Sequence, residues 1–332
     1  MRLALVIVAV LIVVGIVGAG LYFAHTPVML DKTVAVVIES GQSTGEIAAI
    51  LDEEGVLRSR RFFIWWAKLR GIDRHLQPGR YEFSGPTTMW EVMDSLRTGR
   101  VTTLRVTIPE GWILEEIAAR VASELKVDSA AFMRLTRDPD VLKRWGVPAD
   151  DMEGYLLPET YTFFYEVSAE AVINRLAEAN YQIFTGAVAR RMEEMDWTRH
   201  EVLTLASMVE AESGIRDERA RIAAVFHNRL ERGMLLQCDP TVIYGMGGLP
   251  PGRRLYRKDL DYESPYNTYL HAGLPPGPIC NPGEAAILAV LYPGKSSELY
   301  FVADGRGGHI FSETLNEHNR ARVQAKRNRR NR

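Results

Sequence analysis

Two carboxylic acids, Glu210 and Glu212, close an apolar helical stretch at the start of the segment Leu203 to Gly247. A carboxyl group set against apolar side chains loses hydration, and that loss disfavours its charged form. Such a group keeps its proton to higher pH, which is what a general acid needs near neutrality. On a helix, positions i, i+3, i+4 and i+7 share a face. Counted from Leu205, these are Met208, Val209 and Glu212, so Glu212 extends the apolar stripe. Glu210 falls on another face with Leu203, Ala206 and Ser207. Ser213 and Gly214 end the helix directly afterwards. Periodicity alone leaves two readings open: a poised acid, or a frayed helix end with both acids solvated.

Other groups suited to binding lie downstream. A second helix over Asp217 to Arg232 turns Ile222, Val225, Phe226 and Leu230 inward, with Asp217 as a cap. Arg216, Arg219 and Arg221 are candidates to tie down Glu210 or Glu218. Gln237, Asp239, Thr241 and Tyr244 supply donors and acceptors in a polar turn, and Asn267, Thr268, Tyr269 and His309 add more on loops. Hydroxyl-rich ligands suit such groups. The run Gly154 to Tyr165 (GYLLPETYTFFY) reads as core or as a platform for sugar rings, with Glu159 unusual inside it. Ser207, Glu210 and Glu159 complete the candidate binding set. No HExxH, GxSxG, Walker or GxGxxG pattern occurs, so metal hydrolysis, serine hydrolysis and nucleotide chemistry have no visible support. No cofactor and no metal is expected.

The elements that must position these residues come before and after them. Thr33 to Glu39 reads as a strand, and Ser43 with Glu46 as a capping box for the next helix. A helix over Ser59 to Leu69, a strand over Arg80 to Phe83 and a helix over Thr88 to Leu96 follow. The pattern then returns 70 residues on: Ile38-Glu39-Ser40-Gly41 is echoed by Ile108-Pro109-Glu110-Gly111, and the EIAA at 46–49 by that at 116–119. This points to two related strand–turn–helix units. Asp138 to Asp151 is polar and proline-bearing and reads as a boundary, and Ala169 to Met195 as one long helical segment. Glu284 to Leu291 reads as a helix, and Glu298 to Phe311 as two strands and a hairpin. Residues 321–332 carry Lys326 and five arginines and read as a solvated, frayed tail.

The chain has 332 residues, with 40 basic and 42 acidic side chains. That balance gives no argument for nucleic acid. Residues Leu3 to Ala24 contain no Asp, Glu, Lys or Arg. A helix of about 20 residues matches a bilayer core, and the run is too long for the apolar core of a cleaved leader. It reads as an uncleaved anchor with a cytoplasmic N-terminus. The two cysteines, Cys238 and Cys280, form neither a zinc pattern nor a disulfide framework.

Several stretches together resemble the YceG-like family of endolytic murein transglycosylases (MltG). They are Leu205 to Glu212 (LASMVEAE), Val225 to Leu230 (VFHNRL), Leu236 to Gly245 (LQCDPTVIYG), Tyr266 to Tyr269 (YNTY), Gly273 to Ile279 (GLPPGPI) and Tyr300 to Ala303 (YFVA). The resemblance implies an α+β chain: an anchor at 1–24, a LysM-like module at 25–105, a second related unit and linker at 106–150, a mixed α+β catalytic domain at 151–320 and a basic tail at 321–332. It implies a single-pass inner-membrane protein with its catalytic part in the periplasm. Its partners would be peptidoglycan glycan strands, the inner membrane through residues 3–24, and peptidoglycan synthases. The second acid of the family's motif falls on Glu212, in agreement with the face argument. That residue would protonate the glycosidic oxygen between N-acetylmuramic acid and N-acetylglucosamine. It would then take the proton of the muramic C6 hydroxyl, closing a 1,6-anhydro ring without water. A water-adding muramidase and a wall-binding scaffold are the rival readings. Relative to the family pattern, Cys238 and Cys280 replace small residues or Thr in loops that would border the cleft. Either a disulfide or two buried thiols would fit there.

Overall fold

The structure, a computed structural model, describes residues 18, 20, 22, 24–39, 41–99, 103–165, 167–213 and 216–330. It divides into two units, one of residues 1–104 with 162–166, the other of residues 105–161 with 167–332. The expected anchor at 3–24 falls almost wholly outside the described residues. Among those that are described, no helix is long and apolar enough to cross a membrane.

Among the described residues, the smaller unit is built on a two-stranded antiparallel ribbon and the helices that follow. Strand β1 (Val28–Ile38) pairs with β2 (Gly79–Thr87), with an irregularity in register between Leu30 and Val34. Helices α1 (Thr44–Glu53), α2 (Arg60–Leu69) and α3 (Met89–Thr98) supply the rest. Their starts are set locally. Ser43 and Glu46, and then Thr88 and Glu91, form reciprocal capping boxes that satisfy backbone N–H groups the first turn leaves free. Val36, Ile38, Leu51, Phe63, Tyr81, Val92 and Leu96 are buried together beneath the ribbon.

The larger unit is mixed α and β. Strands β3 (Thr103–Thr107) and β4 (Thr160–Phe164) pair with each other, and the division between the units falls within both. Helix α4 (Leu114–Leu125) starts 70 residues after α1, and Glu116 bonds back to the Ile113 N–H as Glu46 does to Ser43. Next come α5 (Ser129–Leu135) and α6 (Pro139–Trp145). The polar stretch read as a boundary is thus partly helical. Asp138 caps α6 by accepting from Asp140 and Val141 N–H groups, with Pro139 at the first helical position, where a missing N–H costs nothing.

The long helical segment expected over 169–195 is two helices, α7 (Ala169–Ile183) and α8 (Ala187–Met195). Gly186 lies between them at φ +60°, which ordinary helical continuation does not permit. Helices α9 (Arg199–Glu212), α10 (Arg219–Glu231), α11 (Asp239–Gly245) and α12 (Glu284–Leu291) form the centre of the unit. A hairpin of β5 (Tyr300–Ala303) and β6 (His309–Ser312) packs with α13 (Leu315–Arg330). The basic segment read as a frayed tail is the second half of α13. Ala321 and Ala325, one turn apart, are buried and dock it.

Asn281 fastens distant segments of this unit. Its side-chain amide donates to the Trp112 carbonyl at 3.0 Å and to Glu153 at 2.7 Å, and its oxygen accepts from the Leu156 N–H at 3.0 Å. Burial pushes the Glu153 carboxyl up to about 8, so it enters the network protonated near neutrality. Beside it, Gly154 has φ +83°, and a Cβ there would lie 2.3 Å from Pro278 Cβ. Gly154→Ala is expected to cost roughly 2–4 kcal/mol through strain and overpacking, read as a lower urea midpoint with an unchanged slope.

Candidate active site

Helix α9 starts at a capping box of Thr198 and Glu201 and is enclosed for most of its length, every residue from Val202 to Glu210 being buried. Its last residue is Glu212. The helix is therefore not the one-sided element that periodicity implies. Other elements cover it all round, so both acids leave bulk water, for different ends.

Glu210 is consumed inside the protein. It forms an ion pair with Arg219 and accepts from the Gly283 N–H at 3.1 Å. Arg219 also holds Glu110 at 2.8 Å. The candidate tie between an arginine and Glu210 is thus made, by Arg219. Burial raises the Glu210 pKa, while the Gly283 N–H and Arg219 oppose the rise.

Glu212 instead opens on a cavity of about 900 Å³. Burial pushes its carboxyl up to about 7 and the nearby Asp239 carboxylate adds to the rise; a hydrogen bond from the Cys238 thiol, the charge of His309 and the Asp239 N–H oppose it. The arrangement presents a carboxyl group near half-protonation at neutral pH, which can give a proton and take one back. Removing the thiol donor should weaken the carboxylate form. In Cys238→Ala the alkaline limb of the kcat/KM profile is expected to move to higher pH, while Cys238→Ser, which keeps a donor, leaves it near the wild-type position. An unmoved limb in the alanine variant would show that the thiol does not tune the acid.

The turn that carries Cys238 is braced rather than open. Gln237 lies at φ +51°, an uncommon conformation for a residue other than glycine. Its N–H donates to the Thr268 carbonyl at 3.1 Å, and the Cys238 N–H to Thr268 Oγ1 at 3.0 Å. Thr241 Oγ1 donates to the Cys238 carbonyl at 2.7 Å. Asn267 spans the following loop, donating to the carbonyls of Leu260 and Tyr262 at 2.9 and 2.8 Å. Tyr269 Oη donates to Asp239 Oδ1 at 2.6 Å.

Of the candidate residues, Gln237, Asp239, Tyr269 and His309 line the same cavity as Glu212. The His309 ring is held by Glu218, Nδ1 to Oε2 at 2.7 Å. The others do not line it. Thr241, Asn267 and Thr268 are fully or almost fully buried and spend their polar atoms on the turn and loop just described. Ser207 is buried, donating to the Thr204 carbonyl and accepting from the Ile279 N–H. Glu210 is buried in its ion pair. Tyr244 packs on Tyr266, ring centroids 4.8 Å apart. Glu159 is exposed, its carboxylate accepting from the Thr160 N–H. The two cysteines are free and do not form the considered bridge. Their thiols turn to separate partners, Glu212 for Cys238 and the Ser207 carbonyl, at 3.4 Å, for Cys280.

Several lining residues are not among the candidates read from the sequence: Tyr256, Arg257, Tyr300, His318 and Arg322. They come from segments whose local pattern says only loop, strand or basic tail. No group of His, Cys, Asp and Glu among the described residues gathers in a way that could hold a metal.

An enclosed acid in a cleft walled by tyrosines, arginines and histidines, on a mixed α+β scaffold, makes a candidate general acid–base site. The chain belongs to the YceG-like family, whose model matches residues 36–324. It is 34% identical to a Bacillus subtilis protein named endolytic murein transglycosylase, over 92% of this chain and 89% of that one. It is 28% identical to a Streptococcus pneumoniae protein of the same name, covering 92% of this chain but only 62% of that longer relative. Among solved structures, a yceG-like protein from Listeria monocytogenes superposes with a TM-score of 0.61 at 33% identity, covering 87% of this chain and 98% of that one.

Proposed function

We propose that this chain is an endolytic peptidoglycan lytic transglycosylase. It cleaves the bond between N-acetylmuramic acid and N-acetylglucosamine inside nascent glycan strands, leaves 1,6-anhydromuramic ends and so terminates strand elongation. One observation carries the reading: Glu212 is held at a pKa of about 7 in a cavity of about 900 Å³. The B. subtilis relative's name supports it.

Glu212 acts twice. Protonated, it gives its proton to the glycosidic oxygen as the bond to the muramic C1 breaks. As a carboxylate it takes the proton of the C6 hydroxyl, whose oxygen closes on C1. Protons balance over the cycle and no water is consumed. A group poised near neutrality suits both halves, because neither protonation state is strongly favoured. No second carboxylate is required, unlike most glycosidases.

Hydrolysis is the second reading, and Asp239 favours it. This carboxylate lines the same cavity, and its own N–H is bonded to Glu212. Mass spectrometry of strand ends separates the readings. Digestion of purified strands is expected to give anhydro ends. Reducing ends would make the enzyme a muramidase, and intact strands would make the chain a wall-binding scaffold.

The proposal extends to the rest of the chain. Residues 3–24 serve as a single-pass inner-membrane anchor, and the ribbon-and-helix unit acts as a LysM-like module that docks glycan. The catalytic part then works in the periplasm beside peptidoglycan synthases.

A further inference from the structure

Three basic side chains line the Glu212 cavity: Arg257, from the short helical turn Arg257–Asp261, and His318 and Arg322, one turn apart on α13. A fourth, Arg229, lines the same cavity but spends its guanidinium on carbonyls, donating to Leu299 at 2.6 Å, Leu236 at 2.9 Å and Leu235 at 3.1 Å. Arg257 and Arg322 are exposed, and among the described residues neither forms an ion pair with a carboxylate. His318 stacks on Tyr300, ring centroids 5.2 Å apart, and its buried Nδ1 has no hydrogen-bond partner among the described residues. Burial and the charges of Arg322 and Arg229 together hold its pKa down. Like charges gathered on a concave wall repel one another and draw in anions.

The sugar rings of a glycan strand are neutral. The anions of a strand lie on the lactyl group of each muramic residue, either as its free carboxylate or as the carboxylates of the peptide attached there. We propose that Arg257 and Arg322, with His318 on Tyr300 in the same cavity, form a subsite for the carboxylates borne on the muramic lactyl substituent. The inference rests on the transglycosylase reading and names the part of the strand that the cavity selects. Guanidinium groups suit this task, since their planar fork matches a carboxylate with two parallel hydrogen bonds. The neutral His318 ring offers a further polar atom without adding charge. The subsite would set which muramic residue comes to rest over Glu212.

Binding tests this without relying on cleavage. The full chain carrying Glu212→Gln is titrated with fluorescent strands of three kinds: bearing peptides, bearing peptides whose carboxylates are converted to amides, and stripped of peptides to leave lactyl carboxylates. Amidation is expected to weaken binding about tenfold or more, the scale of one charge-assisted hydrogen bond. Adding Arg257→Gln and Arg322→Gln should weaken the unmodified strands similarly, and amidation should then cost little further. Binding of stripped strands equal to that of peptide-bearing strands shows that the subsite accepts a carboxylate at either position, and weaker binding shows that it reads the carboxylates of the peptide. Equal binding of all three kinds overturns the proposal, as do additive losses from amidation and arginine removal. Both arginines are exposed, and thermal melts of the variants check that folding is retained. Anhydro-end analysis of the wild type tests the transglycosylase reading separately.

Discussion

Glu212→Gln is expected to lower the rate of anhydro-end formation by about 10³- to 10⁴-fold, the upper range for a positioned general acid and base. The amide keeps the shape of the side chain but can neither give nor recover the proton. Binding of strands should survive, so the loss falls on kcat. The same substitution is expected to stabilise the protein in alkaline solution. The Glu212 pKa is about 7 in the fold against an ordinary value of 4.5. Between those values the folded chain binds more protons than the unfolded one, so its stability falls as pH rises through the window. The full loss is at most about 3 kcal/mol and is complete above pH 7. Glutamine does not titrate and escapes it. The melting temperature of the variant should therefore exceed that of the wild type at pH 8, with the gap closing below pH 4.5. Equal melting curves across that range would show that Glu212 is not held protonated by the fold.

The second large effect concerns the ion-pair cluster behind the acid. Arg219 has 6% side-chain exposure and stands between Glu110 and Glu210. Replacing it by methionine keeps much of the volume and leaves two carboxylates facing each other without a cation. Breaking a buried pair in this way costs about 3–5 kcal/mol, more than the intact pair contributes, because the remaining charge stays desolvated. The direction with pH follows. Arg219 holds the Glu210 pKa down against burial; without it that pKa climbs further, and the cost grows as pH rises. Urea titrations of Arg219→Met should show a deficit that is larger at pH 8 than at pH 5. Adding Glu210→Gln should recover part of it. A deficit independent of pH would mean that lost packing, not stranded charge, is responsible.

These two residues show where the sequence is informative. Helix starts are set by neighbours within three or four residues, and so Ser43 with Glu46 and the start near Thr88 are legible. Glu212 is legible because it prolongs an apolar stripe. The environment of Glu210 is not, since a periodicity argument sees one buried face and assigns the rest to solvent. Here α10, α11 and α12 all pack on α9. Thr241, Thr268 and Asn267 have side chains equally suited to holding a ligand or holding a loop. The choice is made by partners such as the Thr268 hydroxyl, 2.9 Å from that of Thr241 though 27 residues away, which local pattern does not reveal. The strongly basic composition of the last residues masks Ala321 and Ala325, the two small side chains that seat α13 and bring Arg322 to the cavity.

Asn281 has a consequence for the life of the chain before it is an enzyme. Its side chain joins Trp112, 169 residues away, and Glu153, 128 residues away. Contacts of such long separation form late, because loop closure must be met before they return any free energy. The Gly283 N–H that Glu210 needs lies just beyond. A chain still emerging from synthesis thus holds α9 well before Glu210 gains this backbone partner. Until residues 281–283 arrive, the Glu210 carboxyl lacks the Gly283 N–H that opposes the rise of its pKa.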